Sequence, residues 1–384
     1  MSTDKLEIDH SDGYGRHNIN RDILLSTGLA RDLLVDAFSK LPNLRTVGLR
    51  DYEGRGRHRD GEDAAWRSYG WRFALVPSGE ERPRFSRIYI SRGDPSHIFP
   101  LILQALGIAD VRPGNIQVFL RDSAVHLTAF NVNASIVRAK VSPVLHELKT
   151  LLLAIDPRQR PPYATHGFHN LEDFLQHTPH LQHLRLNFML QRDTDLELFL
   201  RWLASPFGSD ASYPTHPPVQ LEHLTRLDLG MLISAGQALV DVVSKFNLKS
   251  LSLHKIRLLE RCRPENAEIW VEFLSNLAEA FKNPGQVTDL SIGWASQAYT
   301  EHGTFQYVNF AKKVSLNANG EKEYDDLEPL VVYRKQRDGS DVREWLRHVG
   351  GRACRPDRVV DSDSLEDGDD DSESDGSEGE DDEI

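Results

Sequence analysis

The segment HTPHLQH sets His177, His180 and His183 three residues apart. On one helix that spacing would gather imidazoles on a single face, where they could hold a metal ion. Pro179 breaks such a helix between them, leaving His177 on the helix and His183 on the strand that follows. No cysteine or carboxylate stands in register with them, so they read as structural histidines and no metal ligand is assigned. A second stretch could meet nucleic acid. Ten arginines lie from Arg50 to Arg92, with Trp66, Tyr69, Trp71 and Phe73 interleaved, a mixture that neutralises phosphates and stacks on bases. Seven carboxylates between Asp51 and Glu81 offset most of that charge, so nucleic acid is not the expected partner. The sequence shows no nucleophile elbow, phosphate loop or paired-carboxylate motif, and GRGRHRDG lacks the GxGxxG spacing. The chain therefore reads as a non-enzyme with no cofactor.

These side chains need elements to hold them, and the leucines say which. LEHLTRLDLG places Leu221, Leu224, Leu227 and Leu229 at steps of three, three and two. Neither a helix nor a strand has that period alone. LPNLRTVGL (Leu41, Leu44, Val47, Leu49) and LHELKTLLL (Leu145, Leu148, Leu151, Leu153) repeat it. Shorter forms end at Leu186, Leu253 and Ile292. Segments of helical character separate the six copies, among them STGLARDLLVDAFSK, NLEDFLQH, SAGQALVDVVSKF and ENAEIWVEFLSNLAEAF. Helix, turn, short strand and helix again is the layout of a leucine-rich repeat. The expected fold is α/β: an irregular leucine-rich-repeat-like solenoid. The three-three steps make a turn that sends leucines inward, and the final step of two is strand alternation.

The copies are uneven. Steps from Leu184 to Leu227, Leu251 and Leu290 run 43, 24 and 39 residues. The turn position that usually holds Asn or Cys is Tyr52, Asp156, Met189, Leu232, Ile256 or Ala295, which removes an asparagine ladder. The expected organisation is a flexible segment 1–22, a repeat domain 23–335, a basic linker or helix 336–360, and a disordered acidic tail 361–384. Within the domain, 50–135 is expected as an Arg-rich insertion and 303–335 as a small β add-on. The tail holds fourteen Asp and Glu and no Lys or Arg. Without it, 45 basic residues face 44 acidic ones, so the net charge of −13 belongs to the tail rather than the fold. Cys262 and Cys354 are too few for a disulfide framework. The polar start MSTDKLEIDHSDGYGRH is no signal peptide, and no apolar run reaches membrane length. The expected location is intracellular, cytoplasmic or nuclear.

Several blocks reach beyond a generic repeat. LPNLRTVGLRDYEGRGRHRDG with WRSYGW, then LRDSAVHLTAF, VSPVLHELKTLLLAID, FLQHTPHLQHLRLNF, LEHLTRLDLGML and VVSKFNLKSLSLHKIRL resemble, in that order, fungal F-box proteins with degenerate leucine-rich repeats. The resemblance covers roughly residues 25–300. It implies the substrate-receptor region of a ubiquitin ligase, in which the repeats hold the target and an F-box docks on a Skp-type adaptor. Only about twenty polar residues precede the first helix, so the F-box itself is not found and adaptor docking is not expected of this chain. The alternatives are a stand-alone repeat scaffold and a nucleic-acid binder working through the Arg-rich stretch.

Under the repeat reading, the concave face carries a column of Gly48, Leu152, Arg185, Asp228, Ser252 and Ser291. The expected partner-binding residues are Arg50, Arg185, Asn187, Asp228, Ser252, His254, Ser291 and Trp294, with Trp294 the main anchor. Arg185 and Asp228 would stand on neighbouring strands, where they could pair with each other instead.

Overall fold

Paired apolar residues such as Leu227-x-Leu229 alternate with polar ones, and alternation forces a strand with one face buried. The structure, a computed structural model, describes residues 23–50, 94–120, 123–132, 135–157, 168–189, 194–206, 216–260, 268–281, 287–299, 305–316, 322–328, 331–335 and 341–354. It opens with α1 (Leu29–Ser39) and β1 (Thr46–Arg50), then α2 (Asp94–Ile108) and β2 (Asn115–Phe119). A short β3 (Val125–His126) and a 3-10 turn (Leu127–Phe130) lead to α3 (Ser135–His146) and β4 (Thr150–Asp156). Four more helix–strand pairs follow: α4 (His169–Gln176) with β5 (His183–Phe188), α5 (Thr194–Ala204) with β6 (Arg226–Ser234), α6 (Gly236–Lys245) with β7 (Ser250–Leu259), and α7 (Ile269–Ala280) with β8 (Asp289–Gly293).

The main sheet runs β1-β2-β4-β5-β6-β7-β8 in chain order, all parallel. Parallel neighbours need a crossover, and a helix supplies it between most of them. Two apolar rows cross the sheet in register. Ile116, Leu151, Leu184, Leu227, Leu251 and Leu290 form one, and Leu153, Leu186, Leu229, Leu253 and Ile292 the other. All are at most 2% exposed. The lead-in residues Leu148, Leu181, Leu224, Leu248 and Val287 are equally buried. A repeated backbone device joins the turns. The carbonyls of Gly114, Lys149, Gln182, Thr225 and Lys249 each accept two consecutive N–H groups from the next turn, at 2.7–3.1 Å.

Aromatics fill the space between helices and sheet. Phe174 of α4 meets Phe99 and Phe130 at ring separations of 6.0 and 5.3 Å, and Phe199 of α5 stacks on Phe168 at 4.9 Å. Lys245, at the end of α6, donates to the carbonyls of Leu203 and Val219 at 2.9 and 3.0 Å, stapling α6 to the preceding unit. Its burial pushes the ammonium down to about 8.

Two expected boundaries change. The span 50–135, expected as an insertion, contains α2 and β2, and β2 lies between β1 and β4 in the sheet itself. Its apolar pair is Ile116 and Val118, with no leucine lead-in, so the repeat was hidden by β-branched residues. Residues 51–93, with the Trp66–Phe73 run, lie outside the described residues. The add-on 303–335 is likewise divided. After β9 (Ser296–Ala298) and β10 (Gln306–Tyr307), β11 (Asn309–Leu316) and β12 (Lys322–Glu328) form the expected hairpin, while β13 (Val331–Lys335) pairs antiparallel with β8 and extends the main sheet. The basic stretch forms α8 (Val342–Arg352), whose Leu346 and Val349 join the core, and a short β14 (Ala353–Cys354) pairs with β11. Segments 1–22 and 355–384 lie outside the described residues. Among the described residues no helix is long and apolar enough to cross a membrane. Phe174→Ala, at a site with no exposed surface, is expected to cost about 3–5 kcal/mol. Leu198→Ala, at a position 37% exposed, should cost less than about 1 kcal/mol; urea unfolding of the two variants checks the contrast.

Candidate functional site

The face of the sheet opposite the apolar rows is polar because strand residues alternate sides. Gly48, Gln117, Leu152, Arg185, Asp228, Ser252 and Ser291 align strand to strand in a single row. Four of the expected binding residues, Arg185, Asp228, Ser252 and Ser291, therefore share one line. Asn187, Gly230 and His254 align in the next row, and Arg50 pairs with Phe119 at the β1–β2 end. Trp294 follows β8 directly and is 38% exposed. Gln117 and Phe119 were missed because their strand was assigned to an insertion; the alternation in IQVFL was the signal that could have found them.

The centre of this face is braced. The guanidinium groups of Arg50 and Arg185 both lie over the Phe119 ring, 5.3 and 5.6 Å from its centroid, an arrangement that favours cations against the ring's π-face. With its amide turned so that the oxygen faces Arg185, Asn187 accepts from the guanidinium at 2.9 and 3.3 Å. Gly230 stands beside that amide, and a β-carbon there would run into the Asn187 side chain. The glycine is what lets Asn187 lie flat over the neighbouring strand.

The pairing of Arg185 with Asp228 does not form. Asp228 instead accepts from His183 Nε2 at 2.9 Å and from Arg226 at 3.2 Å. Burial alone would raise its carboxyl, but the bonds from His183 and Arg226 outweigh it and hold the group below its ordinary 3.8. His254 is pushed down by burial, with Lys255 and Arg185 adding to the effect, so it stays neutral near pH 7. Arg50, Arg185 and Lys255 thus leave this part of the face with positive charge. The three histidines of HTPHLQH separate as the break at Pro179 implies. His177 closes α4, His180 rests edge-on against His146 at 4.7 Å, and His183 serves Asp228.

A second feature was not legible. Met231, Lys255 and Trp294 all have left-handed backbone, with φ of 57, 52 and 56°. They occupy the same place in three successive strand units. Register passes from Gly230↔His254 straight to Leu232↔Ile256, and from His254↔Gly293 to Arg257↔Ser296. Each is a single residue that turns the strand, after which Leu232, Ile256 and Ala295 return to the core with no exposed surface. Leu232, Ile256 and Ala295 stand at the positions where the sequence lacks an asparagine ladder.

Left-handed backbone costs a non-glycine residue roughly 1–2 kcal/mol. Lys255→Gly is therefore expected to raise stability by about 0.5–1 kcal/mol and Lys255→Val to lower it by at least as much, both read from urea midpoints. For Asp228 the depressed carboxyl contributes stability that is present above pH 3.8 and lost as pH falls through its lower folded value. Asp228→Asn should cost about 1–3 kcal/mol at pH 7 and flatten the acid limb of a stability–pH curve. No family model matches this chain, and the comparisons with curated proteins and with solved structures found no match.

Proposed function

We propose that this chain is a non-enzymatic protein-binding module, an irregular leucine-rich-repeat-like solenoid that holds a partner on the open face of its sheet. The observation that supports this reading best is the in-register row from Gly48 to Ser291, flanked by the Arg50–Phe119–Arg185 brace. A face built from short polar side chains and pre-positioned guanidiniums is a surface ready for an extended segment. Ordering entropy has already been spent on the arginines, so little more is lost on binding. The excess of positive charge favours an acidic segment of the partner, and Trp294 beside it offers an apolar anchor. The resemblance to F-box receptors makes that partner a ligase target. Without adaptor docking, the same face would serve a stand-alone scaffold.

Fluorescence anisotropy with labelled acidic, neutral and basic peptides tests the reading. The acidic peptide should bind best and weaken with salt. Arg50→Ala with Arg185→Ala should reduce its affinity at least tenfold, the equivalent of about 1.4 kcal/mol, while Leu198→Ala on α5 leaves it unchanged. Equal binding of all three peptides, or indifference to the arginine pair, would count against it. A single-stranded oligonucleotide that outcompetes the acidic peptide would move the assignment to nucleic acid.

A further inference from the structure

We propose that His169, Glu172 and His216 form a binding site for a divalent zinc-like metal ion on the helix side of the sheet. His169 and Glu172 stand three apart at the start of α4 and so share one helix face. His216 comes from the approach to β6, 47 residues beyond His169. The donor atoms of all three lie within 4.8 Å of one another, and the two Nε2 atoms are 3.2 Å apart. Zinc held by nitrogen at about 2.0–2.1 Å in tetrahedral geometry separates its ligands by a little over 3 Å. The two Nε2 atoms are therefore already at ligand spacing, while the rings, stacked at 3.9 Å, would have to splay for both lone pairs to meet at one ion.

Three independent observations make the cluster more than a chance meeting. Glu172 is 7% exposed and no hydrogen bond or ion pair reaches its carboxyl among the described residues. A carboxylate largely withdrawn from water is costly to ionise, and a cation beside it would offset that cost. Next to it Asp173, 6% exposed, has a buried Oδ2 with no hydrogen-bond partner, as has His177 Nε2. With Glu172 giving up its proton on binding the ion and Asp173 next to it in the chain, two carboxylates would match the two positive charges of the ion. They also offset the positive end of α4, which would otherwise oppose a cation there. The segment carrying His216 is fixed in place, because the Pro217 carbonyl accepts from Gln176 Nε2 at 2.7 Å and from Trp202 Nε1 at 3.0 Å. Held neighbours of that kind orient metal ligands. Two imidazoles and a carboxylate leave one tetrahedral position for water.

The test is titration of the metal-free full chain with Co²⁺, read by visible absorption, and with Zn²⁺, read by calorimetry. One equivalent should bind, the cobalt form showing the intense bands of tetrahedral coordination, and Zn²⁺ should raise the thermal midpoint. His216→Gln and Glu172→Gln, both near in shape to the originals, should each weaken binding by more than the ~10–100-fold that outer-shell changes cost. Circular dichroism of the metal-free variants confirms that they fold. The double variant His180→Ala/His223→Ala removes the exposed imidazoles whose rings lie 5.6 Å apart and should bind as the original does. Absence of binding overturns the proposal, as does binding that survives His216→Gln and Glu172→Gln, or that vanishes with the His180/His223 pair.

Discussion

Two unbroken rows of apolar side chains hold everything else in place. Leu151, Leu184, Leu227, Leu251 and Leu290 sit opposite one another across five strands, and Leu153, Leu186, Leu229, Leu253 and Ile292 do the same two residues on. Side chains alternate faces with a period of two, so a slip of one residue on any strand would put its leucines in water and its polar residues in the core. Burying a leucine is worth about 1.5–3 kcal/mol, and each strand brings two. The register is thereby fixed, and with it the line of Arg185, Asp228, Ser252 and Ser291 on the other side. The doubled hydrogen bonds accepted by the carbonyls of Lys149, Gln182, Thr225 and Lys249 lock the same register at the strand entrances.

That dependence explains what was legible in the sequence. The leucine copies stood out because the burial rule repeats in five of the six; in the first, Leu41 is 49% exposed and β1 has no buried residue, yet the strand positions inferred from all six give the observed row from Gly48 to Ser291. Leucine spacing failed wherever another residue type met the same demand. In β2 the demand is met by Ile116 and Val118, so a strand inside the sheet passed as part of an insertion. In β13 the pairing is antiparallel and needs no crossover helix, so nothing in the local spacing tied Val331–Lys335 to β8. The Asp228 partnership could not be read either. Asp228 faces Arg185 by register, yet His183 and Arg226 lie on the same side of their strands, two positions nearer the strand starts, and reach it first. Which of several neighbouring cations wins is set by side-chain geometry, on which sequence spacing is silent.

The left-handed residues show a different limit. Met231, Lys255 and Trp294 share a position but no chemistry, and none is a residue that favours positive φ. Their conformation is imposed by the buried residues on either side, such as Leu253 and Ile256 around Lys255, which must both point inward although two residues separate them. A pure strand cannot do that, and one turned residue can. The His169–Glu172–His216 cluster is hidden for a related reason: the fold brings α4 and the approach to β6 together across 44 residues of chain. Only HNLE, with its histidine and glutamate three apart, was visible beforehand.

The claim on which the whole account stands is the register of the open face. Cysteine pairs and a short bis-thiol reagent test it directly, in a chain whose Cys262 and Cys354 are replaced by serine. Ser252→Cys with Ser291→Cys, partners in one row on one face, should cross-link rapidly in the native protein. Ser252→Cys with Ile292→Cys, whose second member is buried on the other side, should not. Efficient linking of the second pair, or failure of the first in a folded chain, would mean that the strands are not aligned as described and that the row from Gly48 to Ser291 is not a surface.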